Sequence, residues 1–144
     1  MQVSSEIVID APQQAILDAL ADIDNWPTWS SVHKRCHVID AYPDGRPHHV
    51  GATIRVLGFT DKEVLEYHWG PSWVVFDVEP TLQQRGQHGE WNLIPELGKT
   101  RVRFDGFIEL VAPVPEFMIK RGRKILLDVA TKGLQKRVMR EKTS

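Results

Sequence analysis

The residues best suited to acid–base or metal chemistry are the six histidines, because imidazole changes protonation near neutral pH and ligates metals. His33, Arg35 and His37 share one face of an alternating segment, and Glu66 and His68 share one face of another. Both sets alternate with apolar residues and so point to the solvent side, where neither has a defined third metal ligand. His48 and His49 follow the turn signal PDGRP at 43–47. Adjacent in sequence, they converge on one ion only with help from elsewhere, and they read as surface residues. Cys36 has no base beside it and reads as a packing residue. No G-x-S-x-G, phosphate loop, H-E-x-x-H or dinucleotide fingerprint occurs. No residue is therefore given a catalytic or metal-binding role, and no cofactor is expected.

The remaining chemistry is that of polar groups set among apolar ones. Taking the more apolar alternating set of each strand as core-facing gives Cys36, Val38, Ile54, Val56, Leu65, Tyr67, Trp69, Val74, Phe76, Val78, Trp91, Leu93, Val102, Phe104 and Ile108. Rings this numerous either fill a core or line a hollow. The register that turns Trp91 and Leu93 inward also turns Arg85 and Gln87 inward, as handles for a carboxylate, carbonyl or hydroxyl on an apolar ligand. A bulge at Gly86 or Gly89 would send both to solvent instead.

The elements that must carry these residues follow from period and punctuation. VSSEIVID reads as a first strand, and Pro12 opens a helix with Asp10 or Ala11 as its cap. Ile16, Leu17, Leu20 and Ile23 keep helical spacing until Pro27 breaks the segment DIDNWPTWSS, giving two short helices with a kink. Trp26 and Trp29 then either close one end of a cavity or plug the junction between these helices and a sheet. From Ser31 to Ala112 the runs CHVID, ATIRVLGF, KEVLEYHW, SWVVFDVE, QRGQHGEWNLI and TRVRFDGFIEL read as strands. They are separated by turns at PDGRP, near Thr60 and Asp61, at GPS, PT and ELGK, which implies an antiparallel meander.

Pro115 starts a long helix with Met118, Ile119, Gly122, Ile125, Leu126, Val129, Ala130 and Gly133 on one side. A helix of about 25 residues is ~37 Å long, so a broad sheet must curl around it. Gly122 and Gly133 on the packed face each cost about 1 kcal/mol of helix propensity relative to Ala, for a hollow or for a close approach.

The 144 residues, 42% hydrophobic and 26% charged, suit one domain over 1–144. The net charge of -1 hides an asymmetry: residues 120–144 carry 9 Lys/Arg against 2 Asp/Glu, and the rest 9 against 17. Basic residues on the outer face of a docked helix are the ordinary cause, and attraction to a polyanion or membrane surface is the alternative. The segment MQVSSEIVID has neither the basic start nor the apolar centre of a signal peptide, and one cysteine makes no internal disulfide, so a cytoplasmic location is expected.

Several stretches together carry a family resemblance: DAPQQAILDALADIDNWPTW, the DGRP turn, LEYHWGPSWVVFDV, the G-K-T-R-V run at 98–102 and VPEFMIKRGRKILLDVATKGLQKRV. With the order strand, two short helices, six strands and long helix, the whole chain resembles the START-like (SRPBCC) superfamily in its polyketide cyclase/dehydrase-like branch. The resemblance implies an α+β helix-grip fold, a curved antiparallel sheet of about seven strands around the C-terminal helix, with a cavity between them. The lining would then include Trp26, Tyr67, Trp69, Phe76, Arg85, Gln87, Trp91, Phe104, Met118, Ile119, Gly122 and Leu126.

Members of the superfamily carry lipids, bind hormones and flavonoids, cyclise polyketides or assist chaperones, so fold alone assigns no reaction. Three functions are expected in descending order. The first is binding or carriage of a hydrophobic small molecule such as a polyketide, lipid or aromatic metabolite. The second is a cofactor-free polyketide aromatase/cyclase or dehydrase, with Arg85, Gln87, Tyr67 and His68 as its polar groups. The third is an interaction protein using the basic C-terminal helix. A small-molecule ligand, no nucleic acid, little membrane contact and a monomer or homodimer complete the expectations.

Overall fold

The computed structural model describes residues 1–143, with side chains through residue 140. The strands are β1 (Gln2–Ile9), β2 (His33–Ala41), β3 (Pro47–Val56), β4 (Phe59–Trp69), β5 (Trp73–Val78), β6 (Gln84–Glu96) and β7 (Lys99–Leu110). Helix α1 (Gln13–Ala21) and a 3-10 turn (Ile23–Thr28) follow β1. The C-terminal helix runs as α2 (Glu116–Asp128), a π-helical turn (Val129–Gly133) and α3 (Leu134–Thr143). The strands form one antiparallel sheet in the order β1-β7-β6-β5-β4-β3-β2, curled around that helix.

Both prolines stand one place earlier than the sequence suggests, outside the helices they introduce. Pro12 and Pro115 are the N-cap residues, with extended backbone (ψ 158° and 142°). Their carbonyls accept the first helical bonds, from Ala15 N and from Met118 N and Ile119 N. Neither Asp10 nor Ala11 caps α1.

The β3–β4 turn lies three residues before the bend expected near Thr60. Leu57 (φ 51°) and Gly58 (φ 86°) form a two-residue hairpin turn, and Leu97 (φ 49°) with Gly98 (φ 83°) repeats it between β6 and β7. Of the two, only the second reads as a turn from composition, within ELGK; Leu57–Gly58 ends the apolar run ATIRVLGF and is masked by it, positive φ being costly for a leucine.

Alternation buries Leu65, Tyr67, Val74, Phe76, Val78, Trp91, Leu93, Val102 and Phe104 on the inner face. Cys36, Ile54, Val56, Trp69 and Ile108 of the same alternating set are half-buried, and Val38 is 39% exposed, on the edge strand β2 where the register shifts between Val38 and Asp40. The two halves of the C-terminal helix behave differently. α2 contributes no buried residue, whereas the π turn and α3 bury Val129, Ala130, Thr131, Leu134 and Val138. Ala130, Leu134 and Val138 join Ile16, Leu17 and Leu20 of α1 in a filled core, and Arg137 closes it with an ion pair to Asp22 at 3.0 Å. The helix is joined to the sheet where Trp91 Nε1 donates to Ala130 O at 3.1 Å.

The two helix glycines have different surroundings. A Cβ on Gly133 would stand 3.5 Å from the Trp29 ring, an ordinary packing contact, so this glycine faces a filled junction. A Cβ on Gly122 would meet only Leu57 and Val56, at 3.9 Å, so this one borders space. On the outer side, Lys124 and Lys132 flank Asp128 at 2.6 and 3.8 Å, and Lys120 lies 3.9 Å from Glu116, so part of the basic charge is internally balanced.

Leu97 is fully exposed and holds a positive φ, so Leu97→Asn removes strain without removing a core contact. The substitution should raise stability by about 1 kcal/mol, measured as an upward shift of the urea midpoint at unchanged m-value.

Candidate functional site

The space beside Gly122 belongs to a cavity of about 310 Å³ between the inner sheet face and α2. Its walls are mainly apolar: Ile54, Val56, Leu65, Tyr67, Phe76, Trp91, Phe104 and Ile108 from the strands, and Met118, Ile119 and Leu126 from the helix. Exposed Phe59, Ala112, Pro113 and Pro115 also line it, so it reaches the surface between the β3–β4 hairpin and the start of α2. Trp91 stands at the division of hollow from filled core, within ring contact of Trp26, Phe76 and Phe104 (centroids 6.1, 5.6 and 4.9 Å).

Of the residues expected to line a cavity, Trp26, Tyr67, Phe76, Gln87, Trp91, Phe104, Met118, Ile119, Gly122 and Leu126 do so. Trp69 does not. Its indole donates to Pro47 O at 2.7 Å and lies under the Arg46 guanidinium, which holds the ring at the end of β4. Arg85 does not either. The β6–β7 register shifts between Gln84 and Gly86, leaving Arg85 as an extra residue that points outward, 3.6 Å from Glu109. The bulge separates the pair that strict alternation treats together: Gln87 stays inside, Arg85 leaves, and Gln84 turns in.

Gln84 is 2% exposed and organises the polar end of the cavity. Its Nε2 donates to Glu63 Oε2 at 2.8 Å and Asp61 Oδ2 at 3.0 Å, and Thr81 Oγ1 donates to the same Asp61 oxygen at 3.0 Å. Gln84 Oε1 is buried with no hydrogen-bond partner. Burial, and then the neighbouring Asp61 carboxylate, push the Glu63 carboxyl from the ordinary 4.5 up to about 8, so it holds its proton at neutral pH. Arg123 also lines the cavity, and its Nε is buried without a partner.

His33 lines the cavity as well, contrary to the outward reading of His33, Arg35 and His37 as one face. The register of β2 shifts between His33 and Arg35, so Lys34 is the extra residue and the phase inverts there. His33 Nδ1 lies 2.6 Å from Ser30 Oγ and its ring packs on Trp26, and desolvation lowers its pKa to about 4. Burial raises the Cys36 thiol to about 11 and pushes the Tyr67 phenol up too, so neither is ionised at neutral pH. His68 is exposed on the opposite face of the sheet and bonds to Tyr42.

Sequence reasoning missed Asp61, Glu63, Gln84, His33 and Arg123. The first two carried a signal, since they continue the inward set Leu65, Tyr67 backwards by twos. Gln84 lies beyond a bulge marked only by the neighbouring Gly86, and His33 beyond one with no mark.

Residues 1–141 match the family described as "Polyketide cyclase / dehydrase and lipid transport". No curated protein sequence matches the chain. Among solved structures, a START superfamily protein from Mycobacterium smegmatis superposes with a TM-score of 0.84 at 22% identity, over 96% of this chain and 97% of that one. A Thermus thermophilus protein gives 0.83 at 20% identity, over 98% and 99% of the two chains. An aromatase/cyclase from a Streptomyces species gives 0.81 at 11% identity, over 97% and 94%. At these identities the structural likenesses establish the fold.

The raised pKa of Glu63 has a definite sign for stability. Below about 4.5 the carboxyl is protonated folded or unfolded. Between 4.5 and 8 only the unfolded chain ionises, so stability falls as pH rises through that window. His33 works oppositely, losing stability as pH falls from 6.5 towards 4. Glu63→Gln keeps the bond from Gln84 and removes the ionisation. It should therefore flatten the alkaline side of the profile and exceed the parent protein by a few kcal/mol at about pH 8, read from urea melts at about pH 5, 6.5 and 8.

Proposed function

The chain belongs to the polyketide cyclase / dehydrase and lipid transport family, and on that footing we propose that it binds a hydrophobic small molecule in the cavity under α2. The observation that carries this is the hollow itself. About 310 Å³ of mostly apolar space lies beneath a helix that buries no residue of its own there, at the lower end of the roughly 300–1,000 Å³ typical of ligand sites. A filled core does not leave a well-packed aromatic wall facing an uncovered helix. The apolar body of the ligand lies against Trp91, Phe104 and Phe76. A hydroxyl or other donor on it meets Gln84 Oε1, relieving a buried acceptor that costs about 1–3 kcal/mol when unpaired.

One observation favours polyketide cyclase or dehydrase chemistry as a second reading. Glu63 is a protonated carboxyl beside Asp61 at the polar end, placed to give a proton to a carbonyl oxygen or leaving hydroxyl of a substrate held there. In that case Glu63→Gln abolishes turnover of a poly-β-ketone and leaves its binding intact. In pure carriage neither property changes.

Gly122→Leu tests the binding reading. The new side chain meets nothing closer than ordinary contact at its Cβ and gains helix propensity, so the protein should fold with an undiminished thermal midpoint. Its branched end fills the cavity. Affinity for a hydrophobic reporter dye, and for fatty acids or polycyclic phenols that displace it, should drop at least about tenfold in fluorescence titrations. Unchanged affinity would place the dye elsewhere.

A further inference from the structure

On the face of the sheet opposite the cavity, Asp40 of β2, His49 of β3 and Glu66 of β4 stand in one cross-strand row. In a regular strand His48 would point away from His49. Here it does not, because two register shifts intervene. Ile39 is extra on β2, which brings Asp40 opposite His49, and His48 is left unpaired between His49 and Pro47. The two imidazoles consequently lie side by side, with centroids 4.0 Å apart. The obstacle that adjacency in sequence sets to convergence is overcome by a bulge, a device that re-aims side chains.

One donor atom from each of Asp40, His48 and His49 lies within 4.8 Å of the other two. Nδ1 is the nitrogen turned to Asp40 Oδ1 in both rings, at 3.7 Å from His48 and 2.9 Å from His49. Their other nitrogens face a second carboxylate: His48 Nε2 is 3.4 Å from Glu66 Oε1, and His49 Nε2 is 3.9 Å from Glu66 Oε2. A metal-binding imidazole characteristically places its second nitrogen on a carboxylate, which fixes the tautomer and frees the first for the metal. His48 does so by a hydrogen bond, His49 stands within ion-pair range only, and His68 Nε2 shares Glu66 Oε1 at 3.2 Å. Asp40 is held in turn by the His49 backbone N–H at 2.9 Å, and Tyr42 stacks on His48 at 4.3 Å.

We propose that Asp40, His48 and His49 bind one divalent transition-metal ion of the zinc, nickel or copper class, with Glu66 as the positioning residue behind both rings. Two imidazoles and one carboxylate suit that class, whereas calcium and magnesium prefer all-oxygen sites. Bonds of about 2.0–2.2 Å need the donors to draw together by small side-chain rotations at this solvent-facing site, and they leave a further position for water. The ion fastens the edge strand β2 to β3, where the ladder is interrupted by both bulges.

The test uses tag-free, chelator-treated full-length protein titrated with Zn²⁺ by calorimetry and with Co²⁺ by visible absorption. One ion per chain is expected, with a Co²⁺ ligand-field band. Asp40→Asn, His48→Gln and His49→Gln should each weaken Zn²⁺ at least about tenfold, and Glu66→Gln by about 10–100-fold. His88→Gln serves as the control, since His88 has carboxylate neighbours Asp77 and Glu90 but no second imidazole within its cluster, and it should change nothing. A second reading needs no variant: Zn²⁺ should raise the thermal midpoint and slow amide exchange in residues 36–41. Absence of binding at millimolar Zn²⁺, equal affinity in the three ligand variants and the parent protein, or protection confined to other strands would overturn the proposal.

Discussion

The hydrogen bond from the Trp91 indole to the Ala130 carbonyl is the point on which this architecture turns. A buried indole N–H needs an acceptor, and a helical carbonyl can accept it with its second lone pair. Ala130, which does so, lies in the π-helical turn Val129–Gly133 that faces Trp91. Sheet and helix are thereby joined midway along the helix. To one side α3 packs into α1 and a continuous apolar cluster; to the other α2 is held over the sheet without sinking into it. The hollow lies under this half-docked helix, beside the short rim at Gly122.

Within the hollow, regular alternation supplies Asp61, Glu63 and Gln87, and two bulges add Gln84 and His33 to them. The bulge at Arg85 brings Gln84 against Glu63 and Asp61, and the one at Lys34 brings His33 beside Trp26. A uniformly alternating sheet would still have turned Asp61, Glu63 and Gln87 inward, but it would have kept Gln84 and His33 out. The site therefore combines a rigid apolar enclosure with a small polar set whose protonation is governed by burial, with Glu63 neutral and His33 uncharged at the same neutral pH. Two further irregularities, at Ile39 and His48, organise the opposite face of the sheet in the same manner.

This explains which parts of the molecule could be read from the residues alone. The seven strands, the two short helical segments and the C-terminal helix were legible because period and punctuation agree over long stretches. The inner wall from Leu65 to Phe104 was legible because a buried face enforces alternation. The helix starts were misplaced by one residue because proline fits both the cap and the first turn. The Leu57–Gly58 turn was hidden because it closes the apolar run ATIRVLGF, whereas the like pair Leu97–Gly98 stands between charged residues in ELGK. Arg85 and His33 were placed on the wrong face and Gln84 was missed because each lies at or next to a bulge, where one extra residue inverts the alternation; only the Arg85 bulge has a compositional mark, the neighbouring Gly86. Asp61 and Glu63 were in phase and needed only the alternation extended.

The central claim is that the space under α2 exists to hold a ligand. The most direct measurement is native mass spectrometry of the protein purified from its own cells without detergent, followed by denaturation and analysis of whatever is released. The account predicts a stoichiometric, non-covalent adduct of an apolar molecule bearing at least one hydrogen-bond donor, lost on unfolding. A protein that is always of bare mass, and that stays so after incubation with fatty acids and polycyclic phenols, would contradict it.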